Sequence, residues 1–206
     1  MSDPQHETAL ARLASQTNTN GLIIEMSEVA GRGMIDLRGL LSDRKFAQAA
    51  KTVLGIDLPK APRTSASNGD LVVLWLSVDQ WLIICAGGRT TKLLGDLNKA
   101  LAGIHSLAVD LSDARTIIRL KGNGVREVLM KGAPVDLLAP EMVKGAVRRL
   151  RFGEIAAMVH IVDDRPDTFE LYVFRSYADF AWDWLAQTAA KPAAVKLFGR
   201  QDSPAT

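Results

Sequence analysis

The chain has 206 residues, of which 48% are hydrophobic and 23% charged, with a formal net charge of +2. That is the composition of an ordinary globular protein, and its charge is too weak and scattered to imply a nucleic-acid partner, so none is expected. The single cysteine, Cys85, excludes an internal disulfide and a cysteine-built metal cage. No apolar run approaches the ~20 residues that span a bilayer. The start, Met1-Ser2-Asp3-Pro4-Gln5-His6-Glu7, lacks the basic and apolar regions of a signal peptide. We therefore expect a cytoplasmic protein with no membrane contact.

Residues 1–19 are polar and aperiodic, which predicts a flexible N-terminal arm. Residues 22–26 and 34–37 read as short strands, with Gly31 and Gly33 in the turn between them. Phe46, Ala49, Ala50, Val53 and Leu54 recur at helical spacing over 43–54, and Gly55 stops that helix. Residues 60–70 are a loop by composition. Residues 71–76 and 80–85 form a hairpin around Val78 and Asp79, and 90–101 is a second helix. Strands follow at 107–111 and 115–120. Asn123 is placed to cap a short helix over 125–130, which Gly132 and Pro134 end. Three further strands occupy 147–152, 156–162 and 168–174, with a turn at 163–167. Residues 189–206 read as a flexible tail. The order predicts an α+β fold built of two ferredoxin-like split βαβ halves, about 20–110 and 111–188, within one domain of residues 20–188.

The stretch 170–185 carries the strongest signal. Ser176 and Asp179 have capping-box spacing for a helix start. At about 100° per residue, Tyr177, Phe180, Ala181 and Trp184 share one side, and Ala178, Trp182 and Leu185 extend the apolar surface round to the next. Asp179 and Asp183 leave only a narrow polar stripe. The apolar arc of about 200° is twice the ~100° that one core requires. Trp182 and Trp184 lie about 200° apart, so one should enter this chain's core and the other should meet a partner. Arg175 ends the preceding apolar strand and suits a paired interface arginine. Arg175, Tyr177, Phe180, Trp182 and Trp184 are the candidate interface residues. Which tryptophan faces out is undecided at this level.

Catalytic signatures are missing from the sequence. Gly122-Asn123-Gly124 follows a strand and opens a helix, but a dinucleotide loop needs its third glycine at position 127. Glu127 stands there and would repel a pyrophosphate. Neither a phosphate-binding G-x-x-x-x-G-K-[ST] nor a G-x-S-x-G motif occurs. His6, His105 and His160 have no metal-ligand spacing. The cluster from Asp110 to Arg115, with Ser112 and Asp113, reads as turn chemistry. Lys144, Arg148, Arg149 and Arg151 form a local basic patch suited to a solvated face, an anionic cofactor tail or an acidic partner. No catalytic, cofactor-binding or metal-ligating residue is assigned.

Three blocks carry a family resemblance: residues 111–116 (Leu-Ser-Asp-Ala-Arg-Thr), 129–137 (Leu-Met-Lys-Gly-Ala-Pro-Val-Asp-Leu) and 172–185, from Tyr172-Val173-Phe174-Arg175-Ser176-Tyr177 to Trp182-Asp183-Trp184-Leu185. Asp79-Gln80-Trp81-Leu82 fits the same pattern. Over about residues 20–188 the chain resembles the gamma subunits of heterotetrameric sarcosine oxidase, and more distantly the folate-binding fold of glycine-cleavage aminomethyltransferases. The resemblance implies a complex with alpha, beta and delta subunits. Such a complex oxidises sarcosine to glycine, yields formaldehyde or 5,10-methylenetetrahydrofolate, and reduces oxygen to hydrogen peroxide. It implies that FAD, FMN, NAD, tetrahydrofolate and zinc belong to the other subunits, with none in this chain. Two alternatives stand beside it: a stand-alone folate-binding aminomethyltransferase-like protein, and a scaffold for an unrelated partner.

Overall fold

A computed structural model of the chain describes residues 7–16 and 19–195. In chain order the elements are α1 (Ala11–Gln16), β1 (Glu25–Glu28), β2 (Arg32–Arg38), α2 (Arg44–Leu54), β3 (Ser65–Asn68), β4 (Leu71–Ser77), β5 (Gln80–Ala86), α3 (Thr90–Ala100), β6 (Leu107–Asp110), β7 (Arg115–Lys121), α4 (Val125–Met130), β8 (Val147–Phe152), β9 (Ile155–Asp164), β10 (Asp167–Phe174) and α5 (Ala178–Ala189). They form two five-stranded antiparallel sheets, ordered β3-β4-β5-β2-β6 and β1-β7-β10-β9-β8.

Alternation along the strands builds a four-layer sandwich. On β5, Trp81, Ile83 and Cys85 join Phe46, Ala50, Leu93 and Leu97 of α2 and α3 in an outer core. Leu82 and Ile84 point the other way, joining Met34 and Leu74 against Ile117, Met158 and Tyr172 of the second sheet. The far face of that sheet meets α4 and α5 through Ile118, Leu171, Val159, Val128 and Trp182. β5 is therefore buried on both faces, as its unbroken apolar run requires.

The first half follows β2-α2-β4-β5-α3-β6 with β3 as an added edge, giving the ferredoxin-like order. The second half follows β7-α4-β9-β10-α5 with β8 as its added edge, and its closing strand is β1, supplied from the N-terminal end of the chain. The expected halves of 20–110 and 111–188 thus exchange a strand: residues 25–28 belong with the second.

Local chemistry explains both ends of α2. The Asp43 carboxylate accepts hydrogen bonds from the backbone N–H groups of Lys45 and Phe46, and Gly55, left-handed at φ 71°, closes α2 with its N–H on the Lys51 carbonyl. Two expected caps do not form. α4 starts after Gly124 without a side-chain cap from Asn123, and no side chain caps α5. A 3-10 turn over Arg175–Tyr177 leads into α5, and the Arg175 carbonyl already accepts the Ala178 N–H, leaving the capping box idle.

Three further expectations change. Residues 60–70 contain β3, a polar Ser-Ala-Ser-Asn strand held by pairing with β4. In the described part of the N-terminal arm, Leu10 is fully buried. The Thr8 hydroxyl there donates to Glu28 at 2.6 Å, and the Leu10 N–H to the same carboxylate at 3.3 Å. The start of the expected tail is also docked. Ala190 bridges Leu22, and Lys131 donates to the Thr188 and Ala193 carbonyls at 2.8 and 2.9 Å. Residues 1–6, 17–18 and 196–206 lie outside the described part.

Candidate functional site

α5 presents Ala178, Ala181, Trp182, Leu185 and Ala189 to the core. Trp182 is 1% exposed and belongs to that core, so it is not available to a partner; its side of the helix faces α4 and the sheet. Trp184 is half-buried and meets Phe152 edge-on, ring centroids 4.7 Å apart. It lies over Gly132, where an added Cβ would come within 2.7 Å of the indole. Gly132 is therefore small because Trp184 packs on it.

The outward aromatics are others. Tyr177 is 43% exposed and Phe180 42%. Phe174, which closes β10 and escaped notice in the sequence because it completes an apolar strand, is 40% exposed. The Arg115 guanidinium sits 4.4 Å from the centre of the Phe174 ring, its partner across the β7–β10 ladder. Burial, then repulsion from Arg149, lowers the pKa of Arg115. Arg175 is exposed, and donates through Nη2 to the Glu7 carbonyl at 2.6 Å. Phe174, Tyr177 and Phe180 thus put three solvent-facing aromatic rings within seven residues of the chain, with Arg115 against the first and Arg175 next to it in sequence.

A second constellation lies between the sheets. Glu170 is 6% exposed. It accepts hydrogen bonds from Arg119 Nη2 at 2.5 Å and the Tyr172 hydroxyl at 2.6 Å. Burial alone would raise its pKa, but His160, Tyr172 and Arg119 around the carboxylate outweigh that and hold it at about 2. Burial and the Glu170 charge push the Tyr172 phenol well up. His160 Nδ1 stands 3.9 Å from Glu170, too far for a hydrogen bond, while its Nε2 is 3.1 Å from Ser65 Oγ. Serine, imidazole and carboxylate are thus in the order of a nucleophilic relay. However, the Ser65 hydroxyl donates to the Gly145 carbonyl at 2.9 Å, so Nε2 can only donate to Oγ, the reverse of what activating a nucleophile requires. The network ties β3 of one half to β9 and β10 of the other.

The remaining candidates are structural. Gly122 has φ 122°, and a Cβ on Gly124 would lie 3.0 Å from the Ile23 side chain, so this turn is filled by the chain entering β1 and offers no dinucleotide cradle. Ser112 donates to the Asp110 carboxylate at 2.5 Å and accepts the Met34 N–H at 3.0 Å, a turn bond across elements. Cys85 is a buried thiol whose pKa burial raises. His105 is exposed and His6 lies outside the described residues. Among the described residues no group of His, Cys, Asp and Glu could hold a metal ion, and no helix is long and apolar enough to cross a membrane.

Comparison with known proteins bears on this geometry. The model of the sarcosine oxidase gamma subunit family matches residues 38–191. The sarcosine oxidase gamma subunit of Arthrobacter sp. is 32% identical over 129 residues, 62% of this chain and 62% of that one. That of Corynebacterium sp. strain P-1 is 31% identical over the same share. The alignment thus spans under two thirds of these curated relatives. Among solved structures, a chain of the heterotetrameric sarcosine oxidase from Corynebacterium sp. U-96, in complex with pyrrole 2-carboxylate, superposes with a TM-score of 0.84 at 22% identity, covering 94% of this chain and 99% of that one. The glycine cleavage aminomethyltransferase T of Bartonella henselae shares the fold at a TM-score of 0.56 and 14% identity, covering 80% of this chain and 45% of that one.

Proposed function

This chain belongs to the sarcosine oxidase gamma subunit family, and we propose that it is an assembly subunit of a heterotetrameric sarcosine oxidase, working with alpha, beta and delta subunits in the cytoplasm. The complex converts sarcosine, oxygen and water to glycine, formaldehyde and hydrogen peroxide, or passes the one-carbon unit to tetrahydrofolate. FAD, FMN, NAD, tetrahydrofolate and zinc are assigned to the other subunits. The Gly122–Gly124 turn does not fit a dinucleotide, because it is packed against Ile23 and Ile24.

The observation that carries the reading is the exposure of Phe174, Tyr177 and Phe180 around the entry to α5, with Arg115 against Phe174 and Arg175 exposed in the same segment. Aromatic and arginine side chains are the residue types that anchor interfaces. α5 already fills its own core with Trp182 and Leu185, so these rings are surplus to the fold. Arg175, Tyr177 and Phe180 are the proposed interface residues, with Phe174 added to them, while Trp184 packs edge-on against Phe152.

The test is co-purification. The tagged chain, drawn from cells that make it, should bring larger chains with a flavin spectrum and sarcosine-dependent peroxide formation. The double variant Phe180→Ala/Tyr177→Ala should bring much less of them. Elution alone and colourless, with folate binding, would replace this reading with the stand-alone one.

A further inference from the structure

We propose that the Arg63–Arg148 pair, set between two hollows at the edge of β8, is a binding site for a small organic carboxylate. The hollows have volumes of about 430 and 560 Å³, and both are lined by Arg63, Glu141 and Arg148. Arg149, Arg151 and Asp136 also line the first and Lys144 the second; Arg151 and Lys144 are paired with Glu154 and Asp163, so the cleft keeps a net positive lining centred on Arg63, Arg148 and Arg149. This inference stands on the cleft alone and does not depend on the assembly role.

The Arg148 side chain is 10% exposed, yet among the described residues its hydrogen bonding is confined to Nη1, which donates to the Val147 carbonyl at 3.0 Å. A guanidinium has five N–H donors in a planar fork, and the rest of the Arg148 fork is not sealed from solvent, so it is open to the hollows with no protein partner among the described residues within hydrogen-bond distance. The nearest carboxylate, Glu141, stands 3.7 Å from Nη2, an ion-pair distance too long for a hydrogen bond, and its side chain is 64% exposed. Burial, then repulsion from Arg63, presses the pKa of Arg148 down. An anion seated between the two guanidiniums relieves both effects.

Arg63 adds an independent sign. Its φ is +64°, the only positive value among described residues other than glycine. A side chain in the left-handed region costs about 1 kcal/mol. The conformation is enforced by the Val147 N–H, which donates to the Arg63 carbonyl at 2.8 Å, and by the bridge between Thr64 and Ala146. Backbone strain held in place by its surroundings concentrates where a side chain must be aimed. Here it aims a second guanidinium at the same cleft. The forked, bidentate geometry of arginine matches a planar carboxylate. Glu141 is a loose internal stand-in for that group, which a ligand carboxylate would displace.

Calorimetric titration of the full-length protein, as purified, with glutarate tests this. One site per chain is expected. Arg148→Met and Arg63→Gly should each weaken it at least tenfold, and Glu141→Gln should tighten it severalfold by removing the competitor. Arg63→Gly guards against misfolding, because glycine suits that φ and its variant should melt no lower than the parent. Absence of glutarate binding, or affinity unmoved by these variants, overturns the proposal. Inorganic phosphate binding as tightly as glutarate overturns the carboxylate assignment. Binding of a hexaglutamate peptide without glutarate binding overturns the small-molecule reading in favour of an acidic segment of a partner.

Discussion

Truncating Trp182 and Phe180 in turn should separate folding from assembly, although the two residues are neighbours on one helix. Trp182 is 1% exposed and belongs with Val128, Leu129, Leu171 and Ala181 to the core between the second sheet and α4 and α5. Emptying an aromatic site of that kind costs about 3–5 kcal/mol, because the lost burial is joined by a cavity the neighbours cannot fill. For a chain of this length that lowers Tm by roughly 6–20 °C. Phe180 is 42% exposed, with its ring near the Gly153 turn. Phe180→Ala should change the stability of the purified chain by less than about 1 kcal/mol. As an interface anchor, its loss should weaken assembly by about 2 kcal/mol, or roughly 30-fold in Kd. Thermal melts of each variant, paired with quantitative co-purification of the larger chains, read both effects. If Phe180→Ala lowers Tm as much as Trp182→Ala, or leaves assembly untouched, the two-sided account of α5 is refuted.

Three other outcomes follow from the geometry. Arg126 is buried and forms a bidentate pair with Asp167 at 2.9 Å while donating to the Leu137 and Met142 carbonyls, so Arg126→Met should cost about 3–5 kcal/mol in urea unfolding by leaving Asp167 buried and unpaired. Glu170, with its pKa lowered from 4.5 to about 2 in the folded chain, contributes stability that is fully present above about pH 4.5 and lost as pH falls toward 2. Glu170→Gln should therefore lower stability near neutrality and flatten the acid limb of the stability curve, and an unchanged limb would show that the inter-sheet network is not what holds that carboxylate. Gly132→Ala, which pushes on Trp184 and Phe152, should destabilise by about 1–3 kcal/mol and shift the Trp184 fluorescence.

Much of this architecture can be read from residue patterns, and the failures have physical causes. The helical spacing over 43–54 and the hairpin 71–85 survive because one periodicity and one turn determine each of them locally. β3 could not be found that way: Ser65-Ala66-Ser67-Asn68 has no apolar alternation and is a strand only because β4 offers it a ladder. The exchange of β1 into the second sheet is a pairing of residue 25 with residue 121, which no local pattern encodes. For α5 the two-sided apolar arc was legible, but its division was not. Helical angles separate Trp182 from Trp184 without saying which side meets the sheet, and a half-buried position against Phe152 was outside the two alternatives. The Arg119–Glu170–His160 network joins three neighbouring strands, so its members are far apart in sequence and look like ordinary polar strand residues. Arg63 carried no signal, because its left-handed backbone is imposed by contact with Val147 across the two halves.

The most direct measurement is purification of the tagged chain from cells that make it, with an absorbance spectrum and a sarcosine-dependent peroxide assay on the eluate. The account predicts larger chains in a fixed ratio, a flavin spectrum and peroxide, all diminished together by the Phe180→Ala/Tyr177→Ala variant. A chain that elutes alone and colourless, and behaves identically with and without those two rings, would contradict it.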